Sequence, residues 1–300
     1  GAQANLWTEY ITTNEGVEYM ILPRMLALAE VVWSPATSKD WSSFNQRLKW
    51  HFRGFQQKGL RYSEGSNKIT ITPRIENEQL SVALSSEILG CDIYYTLDGS
   101  DPNGNSIKYN APFLIDKTET VRAASVCDGK VSTGIPSKLD FSIHKASAKK
   151  VSYLNNPSSS YPANGNNTLT DGVRGTFNVS KYWHGFYAKD LVATIDLGET
   201  TPVRKISLGC LQNTGDWIFL PKAVKFEISV DGLNYKEVGQ EIMPLNKVKD
   251  SKAIYNFATS FVPQQAKYVR VTAKILPELP KEHNGEGKPA WLFADEIIVE

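Results

Sequence analysis

The apolar residues divide the chain into a helical beginning and a long β-rich remainder. Residues 25–33 read MLALAEVVW, a run that places apolar side chains on most faces of a helix. Pro23 lies near the start of this run, and Pro35 predicts its end because proline disfavours the helical conformation in the residue before it. A helix with so little polar surface is expected to be buried.

A second, amphipathic helix is predicted to follow. Asp40 suits its N-cap and Gly59 suits its C-terminal stop. Apolar residues recur between them at helical spacing, at Trp41, Phe44, Leu48, Phe52 and Phe55. Because only one face is apolar, we expect this helix to lie at the periphery.

From residue 69 onward, apolar and polar residues alternate with the period of two that is typical of strands. Leu80, Val82 and Leu84 show this alternation, and the run YYTLDGSDP at residues 94–102 passes from a strand into a turn. Short strands joined by Gly and Pro turns predict a small β-sandwich.

A polar stretch at residues 155–160 lies near the start of a second β-rich block. Within it, Phe226 and Ile228 alternate up to an Asp231-Gly232 turn, which is a hairpin signal. This block predicts a second, larger β-sandwich. The expected fold is therefore mainly β, with two β-sandwiches preceded by a short helical segment.

Charge and composition exclude some classes of partner. Lys and Arg number 33 against 32 Asp and Glu, so there is no excess positive field to hold nucleic acid or an anionic membrane. No run of about 18 apolar residues predicts a membrane span. Aromatic residues make up 11% of the chain, which either large β cores or surfaces that bind flat ligands would explain.

The three cysteines, Cys91, Cys127 and Cys210, are an odd number at wide spacing. They form neither a disulfide framework nor a metal-binding motif. We expect them to be mostly buried small apolar residues, with a Cys91–Cys127 bridge as the alternative. No secretory leader is present, but residue 1 reads as the middle of a protein, so this says nothing about export.

The beginning of the chain carries a specific family pattern. Residues 1–10 read GAQANLWTEY, residues 23–30 read PRMLALAE, and Trp33-Ser34 follows. This pattern resembles the last strand and helices of the (β/α)₈ barrel of glycoside hydrolase family 20 β-N-acetylhexosaminidases. The resemblance assigns residues 1–63 to the C-terminal part of such a barrel.

Two residues of this segment are candidates for sugar binding. On a strand, Trp7 and Glu9 would point to one face, at the C-terminal mouth of a barrel. By resemblance, Trp7 would stack under the terminal N-acetylhexosamine and Glu9 would bind its outer hydroxyls. The alternative is a buried strand with a satisfied carboxylate.

The resemblance also implies a mechanism. The family hydrolyses β-linked N-acetylhexosamine with the help of the substrate's own acetamido group, and an adjacent Asp-Glu pair orients that group and supplies the acid. We expect this pair upstream of residue 1, and the chain alone to be inactive. The Asp295-Glu296 dipeptide lies at the other end of the chain without the family's preceding His and Gly, so we do not expect it to be catalytic.

The last block resembles a discoidin-like (F5/8 type C) domain, close to carbohydrate-binding module family 32. The residues that carry this likeness are LTDG at 169–172, IDLG at 195–198, FEISVDG at 226–232, YVRV at 268–271 and ADEI at 294–297. Many such domains hold one structural Ca²⁺, a cation that takes six to eight oxygen ligands. The resemblance places side-chain ligands at Asp171, Thr176 and Glu296, and backbone carbonyl ligands at Thr168, Val173 and Asp295. Five extra residues between Asn178 and Trp183 put the exact shape of this loop in doubt. The alternative is a structural turn without metal.

Sugar binding by this block would require exposed aromatic residues. The candidates are Trp217, Phe219, His184 and Trp291. For Trp217 both sugar stacking and packing stay open, because it lies in a predicted loop but precedes apolar residues. Trp183 is expected to pack near the calcium loop.

The sequence therefore predicts three domains: residues 1–63, an immunoglobulin-like β-sandwich at 64–147 resembling a chitobiase-type C-terminal domain, and a discoidin-like β-sandwich at 148–300. The expected function is that of a C-terminal fragment of a secreted, periplasmic or cell-surface β-N-acetylhexosaminidase. Its expected partners are glycans with N-acetylhexosamine or galactose-type sugars. The alternative is a glycan-binding or adhesion module without a catalytic role. A lone barrel strand leaves apolar faces uncovered, so we expect either disorder at residues 1–15 or burial of residues 25–33 against another part of the chain or another copy.

Overall fold

A computed structural model describes residues 2–63, 65, 68–88, 90–127, 129–131, 136–243 and 251–300. Of the predicted domain limits, Gly1 and Glu64 lie outside these residues. The described helices are α1 (Asn14–Ile21), α2 (Arg24–Trp33) and α3 (Trp41–Gln57), with 3₁₀ helices at Ala36–Ser38, Gly165–Thr170 and Thr214–Asp216. None of the helices in this part of the chain has the length and apolar character needed to cross a membrane.

The helical beginning forms as the sequence predicts, but its packing differs. Asp40 caps α3, where its Oδ1 accepts a hydrogen bond from the Ser43 amide at 2.6 Å. The expected burial of α2 is wrong within this chain, because none of its residues is buried. Trp33, its last residue, is 87% exposed.

In the middle block, which we define as residues 68–143, the described residues form eight short antiparallel strands in two sheets. They are β1 (Thr70–Glu76), β2 (Gln79–Ser85), β3 (Asp92–Thr96), β4 (Ile107–Lys108), β5 (Phe113–Leu114), β6 (Glu119–Cys127), β7 (Lys130–Val131) and β8 (Ser137–Phe141). One sheet has the order β1-β2-β5; the other has the order β4-β3-β6-β7, with β8 also paired to β6. Leu80, Val82 and Val121 lie in one core between the sheets. This is the predicted small sandwich.

Two of the three cysteines differ from the main expectation. Cys91 and Cys127 form a disulfide across β3 and β6, which is the alternative that the sequence left open. Cys210 is free and fully buried, as expected.

In the third block, residues 144–300, the part of the chain that the structure describes forms one antiparallel sheet of seven strands. They are β9 (Lys150–Tyr153), β10 (His184–Tyr187), β11 (Leu191–Asn213), β12 (Ala223–Ser229), β13 (Lys236–Ile242), β14 (Lys252–Lys274) and β15 (Trp291–Val299). The order is β10-β15-β11-β14-β12-β13, with β9 also paired to β11. The long strands β11 and β14 change register at bulges, which lets strands bend. Both ends of β11 and the middle of β12 therefore contribute to one core, as Ile195, Leu208 and Phe226 show.

The described architecture is mainly β with sandwich-like sheets and a helical beginning, which confirms the predicted fold class.

Candidate functional site

A group of buried carboxylates lies where the two β-rich blocks meet. Asp171 follows the 3₁₀ helix at Gly165–Thr170, and Asp295 and Glu296 lie on β15. All three side chains are buried, with at most 1% of each residue exposed. Buried carboxylates require hydrogen bonds or cations to offset the loss of water.

The partners of these carboxylates differ. Asp295 Oδ2 accepts hydrogen bonds from Arg174 Nε and the Gly175 amide, each at 2.8 Å. Asp171 accepts from the Val173 amide at 2.9 Å and from Asn164 Nδ2 at 2.6 Å. Arg174 therefore neutralises Asp295, whereas Asp171 has neutral partners.

Glu296 is only half satisfied. Its Oε1 accepts hydrogen bonds from the Gly172 amide at 3.1 Å and from His144 Nε2 at 2.9 Å. Its Oε2 is buried and has no hydrogen-bond partner among the described residues. Such an orphaned carboxyl oxygen is costly, because it has lost its hydrogen bonds to water without replacement.

Burial and mutual repulsion raise the pKa values in this group. Burial raises the pKa of Asp171 to about 7, and the charge of Asp295 adds to the effect. Burial raises the pKa of Glu296 well above its usual value, and the charge of the nearby Asp171 adds to this rise. Burial and the positive charge of Arg174 lower the pKa of His144 to about 4, so this imidazole is neutral near pH 7.

The remaining predicted calcium ligands lie on the same loop, but their surroundings differ. Thr168 and Val173 are buried at 1% exposure, and the Thr168 hydroxyl donates to the Gly165 carbonyl at 2.8 Å. Thr176 is exposed, and its hydroxyl accepts from the Asn178 amide at 3.3 Å. Within the described ranges, no three His, Cys, Asp or Glu side chains converge as metal ligands.

The same burial argues against a catalytic Asp295-Glu296 pair. Both side chains are inaccessible to solvent, and Asp295 is held by Arg174. A general acid must reach the leaving oxygen of its substrate. This dipeptide is instead part of the buried polar network.

Two of the sugar-stacking candidates are buried. His184 is fully buried; its Nε2 donates to the Gly165 carbonyl at 2.9 Å, and its Nδ1 lies 3.3 Å from the Tyr153 hydroxyl. Phe219 is 6% exposed and packs against Leu276 and Leu279. Neither ring offers a face to a ligand, which corrects both assignments. The burial of these two side chains results from tertiary packing, which the local sequence does not show.

Trp291 and Trp217 are partly exposed and lie beside each other at one end of the sheet. The Trp291 amide donates to the Trp217 carbonyl at 2.9 Å. Trp291 contacts Tyr187, with ring centroids 4.9 Å apart, and Tyr161, with centroids 5.2 Å apart. Lys288 Nζ lies 5.2 Å from the centre of the Trp217 ring.

We call Tyr161, Tyr187 and Trp291 the aromatic row. Sequence reasoning found only Trp291. Tyr187 is 40% exposed at the end of β10 and is brought to Trp291 by the pairing of β10 with β15, which is not a local property of the sequence. Trp183 is buried and its Nε1 donates to the Thr176 carbonyl at 2.7 Å, so its predicted packing beside the loop is confirmed.

Trp7 and Glu9 do not lie on a strand in this structure. Residues 2–8 have no regular secondary structure and Glu9 lies in a turn, so the predicted strand is wrong for the chain as described. Trp7 is 75% exposed, and Glu9 is exposed as well. A strand of a barrel needs neighbouring strands to satisfy its backbone groups, and none of the described strands pairs with this segment.

Three sequence families match successive parts of the chain. Residues 1–36 match the catalytic domain of glycosyl hydrolase family 20. Residues 82–138 match the Fn3-associated family, and residues 149–288 match the F5/8 type C domain. The chain thus carries a match to part of the family 20 glycosyl hydrolase catalytic domain and a separate match to the F5/8 type C domain. The resemblances that the sequence predicted for its beginning and its last block are confirmed.

Curated proteins similar to this chain include hexosaminidases. The chain is 31% identical over 137 residues to a Beta-hexosaminidase of Porphyromonas gingivalis, a match that covers 43% of this chain and 17% of that protein. It is 36% identical over 62 residues to a Beta-N-acetylhexosaminidase of Cellulomonas fimi, covering 21% of this chain and 12% of that protein. The matches thus span less than a fifth of these relatives.

Solved structures similar to this chain include sugar-binding modules. One is chitosan-binding module 1 of a chitosanase/glucanase from Paenibacillus sp. IK-5, with 16% identity, a TM-score of 0.35, and coverage of 53% of this chain and 98% of that chain. Another is CpGH89CBM32-5 from Clostridium perfringens in complex with GalNAc-β-1,3-galactose, with 16% identity, a TM-score of 0.34, and coverage of 50% and 93%.

The buried His184 gives the third block a pH dependence. Burial lowers the pKa of His184 to about 4, so the unfolded chain binds the extra proton first and stability falls as the pH drops from 6.5 towards 4. At ~1.4 kcal/mol per pKa unit, this contribution is about 3 kcal/mol. Urea unfolding of wild type and of His184→Gln at pH 4, 5.5 and 7 measures it. The variant is expected to lose about 3 kcal/mol less than wild type between pH 7 and pH 4. Parallel pH profiles would show that His184 does not titrate in this window.

Proposed function

We propose that this chain is part of a β-N-acetylhexosaminidase that removes terminal β-linked N-acetylhexosamine from glycans. Residues 1–36 contribute to its catalytic domain, and the third block binds glycan. The observation that carries the proposal is the match to the family 20 catalytic domain in the same chain as an F5/8 type C domain. The similarity to hexosaminidases over 137 residues supports it.

In the intact catalytic domain, Trp7 would form one wall of the sugar subsite. Its indole face is available, since the residue is 75% exposed here, and it would stack on the apolar face of the terminal sugar. Glu9 would accept hydrogen bonds from the sugar hydroxyls. The exposed apolar residues of α2, Met25, Val31 and Trp33 among them, would pack against the rest of that domain.

The third block offers the aromatic row as a sugar-binding surface. Pyranose rings present apolar C–H faces that pack on aromatic rings, while their hydroxyls need polar partners. Trp291 and Tyr187 supply adjacent rings at 4.9 Å, and Lys288 lies over the neighbouring Trp217. We propose glycans with N-acetylhexosamine or galactose-type ends as its ligands.

The residues around Asp171 and Glu296 fit a structural Ca²⁺. Ca²⁺ binds hard oxygen ligands, and these two buried carboxylates have no cationic partner of their own among the described residues, since Arg174 pairs with Asp295. Asp171 and Glu296 would supply side-chain oxygens, joined by the Thr176 hydroxyl and by the backbone carbonyls of Thr168, Val173 and Asp295. The ion would neutralise the repulsion between the carboxylates and hold the loop in place.

Export from the cytoplasm is the third part of the proposal. Disulfides persist in oxidising compartments, and Cys91 and Cys127 are paired. The disulfide supports a secreted, periplasmic or cell-surface location, where glycan substrates are also available.

Glycan binding is expected to depend on the aromatic row. Replacing Trp291 or Tyr187 with alanine should weaken binding to immobilised N-acetylglucosamine- or galactose-terminated glycans by about 10-fold or more, since loss of one stacked ring costs on the order of 1.5 kcal/mol. Surface plasmon resonance against a panel of such glycans measures this.

Trp50→Ala is the matched control, because Trp50 is a 72% exposed tryptophan on α3 and lies outside the third block. It should bind as wild type does. Unchanged thermal unfolding must accompany the loss in Tyr187→Ala. Equal binding by wild type, Trp291→Ala and Tyr187→Ala would remove the aromatic row from the proposal.

A further inference from the structure

The loop that carries Asp171 is also the contact between the middle and third blocks. The Ser142 amide donates to the Gly172 carbonyl at 2.9 Å, and Phe141 and Val173 form a β-bridge beside it. Gly172 has φ +74°, and a Cβ built on it would lie 3.1 Å from the Ser142 carbonyl oxygen. The loop is therefore shaped to fit the segment that joins the two blocks, residues 141–148, which we call the linker.

Apolar packing joins the same two segments. Val173 and Ala148 from the third block lie in one core with Phe141 and Leu80 from the middle block. Val173 and Phe141 are each 1% exposed. Outside this core, Lys149 Nζ pairs with Glu78 at 2.7 Å. The contact is a small shared core and not a loose tether.

His144 connects this contact to the buried carboxylates. The Ala146 amide donates to His144 Nδ1 at 3.2 Å, so Nδ1 accepts and the proton of the neutral ring is on Nε2. His144 Nε2 therefore donates to Glu296 Oε1, 2.9 Å away and 152 residues along the chain. The two side chains are only 3% and 0% exposed.

This hydrogen bond fixes the orientation of Glu296. Oε1 is held by His144 and by the Gly172 amide, which leaves the unpartnered Oε2 as the oxygen free to bind a cation. Partners of this kind, which orient a metal ligand without touching the metal, commonly contribute 10- to 100-fold to metal affinity.

We propose that His144 is a positioning residue of the cation site, so that Ca²⁺ binding and the docking of the middle block on the third block strengthen each other. The inference rests on the proposed Ca²⁺ site. The ion holds the Asp171 loop and Glu296 in the arrangement against which the linker packs. In turn, His144 of the linker orients the Glu296 side chain through its hydrogen bond. Occupancy of the site would then fix how the third block is held relative to the middle block.

Calorimetric titration of the EDTA-treated 300-residue chain with CaCl₂ tests the first half. His144→Phe, which removes the N–H donor at similar size, should weaken Ca²⁺ binding by about 10- to 100-fold. His144→Gln, which keeps an N–H donor, should stay within about 3-fold of wild type. His283→Gln is the matched control, since His283 contacts Thr214 and not Glu296, and it should bind as wild type does.

Amide hydrogen exchange tests the second half. Ca²⁺ should slow exchange of the Ser142 amide in wild type by about 10-fold. Because coupling is reciprocal, docking of the two blocks should strengthen Ca²⁺ binding by the same factor. In His144→Phe, Ca²⁺ should have little effect on this exchange rate.

Each outcome bears on one step. Absence of Ca²⁺ binding by wild type would overturn the Ca²⁺ site and this inference, while glycan binding would be unaffected. Equal Ca²⁺ affinity of wild type and His144→Phe, or equal loss in the Phe and Gln variants, would overturn the positioning role. A Ser142 amide exchange rate that does not change on addition of Ca²⁺ would overturn the coupling. This rate can be measured on wild type even where His144→Phe does not fold.

Discussion

Replacing Arg174 with methionine is expected to lower the free energy of unfolding by about 3–5 kcal/mol, because it leaves a buried carboxylate without its cation. Arg174 Nε lies 2.8 Å from Asp295 Oδ2, and the Asp295 side chain has no solvent exposure. Burial already raises the pKa of Asp295, and Arg174 opposes that rise. Without the guanidinium, the loss should be larger at pH 7 than at pH 4, where the carboxyl takes up a proton more readily.

Urea unfolding followed by tryptophan fluorescence measures this difference. Arg204→Met is the matched control, since Arg204 pairs at 3.7 Å with the more exposed Glu300 and should cost less than about 1 kcal/mol. If Arg174→Met cost no more than Arg204→Met at pH 7, the buried pair would not be ionic and the account of the carboxylate group would fail.

Removing the disulfide should have an effect of similar size. The Cys91–Cys127 bridge closes a loop with a sequence separation of 36 residues. Chain-entropy estimates for a loop of that length give about 4 kcal/mol of stabilisation. The double variant Cys91→Ser/Cys127→Ser should therefore unfold at much lower urea in the transition of the middle block.

Reduction provides the control for this prediction. Wild type in dithiothreitol should match the double variant in the same buffer, and the variant should not respond to the reductant. A wild-type chain purified under oxidising conditions that contains two further free thiols besides Cys210 would contradict the pairing.

The sequence predicted the parts of the fold that depend on local patterns. Asp40 caps α3 because its side chain reaches an amide three residues on, and Phe226 and Ile228 face the core of β12 because strand side chains alternate. Whether α2 is buried could not be predicted, since this depends on whether another surface covers the apolar helix. Here the described chain supplies none, and Trp33 stays exposed.

The candidate site was predicted only in part, because some of its residues are brought together by tertiary contacts and not by local sequence patterns. The resemblance to discoidin-like domains pointed to Asp171 and Glu296, which do lie together. It could not find His144, whose role depends on a contact across 152 residues, or Tyr187, whose exposed ring is aligned with Trp291 by strand pairing. It assigned His184 to the surface although tertiary packing buries it.

We propose that this chain recognises glycan and supplies part of a hexosaminidase subsite, and we expect no glycoside hydrolysis by the chain alone. Incubation of the purified 300-residue chain with a chromogenic N-acetyl-β-glucosaminide, beside the glycan-binding assay, tests it most directly. The account predicts glycan binding without turnover, because the Asp295-Glu296 pair is buried and engaged in structural hydrogen bonds. Turnover that Glu296→Gln abolishes without unfolding the chain would contradict it.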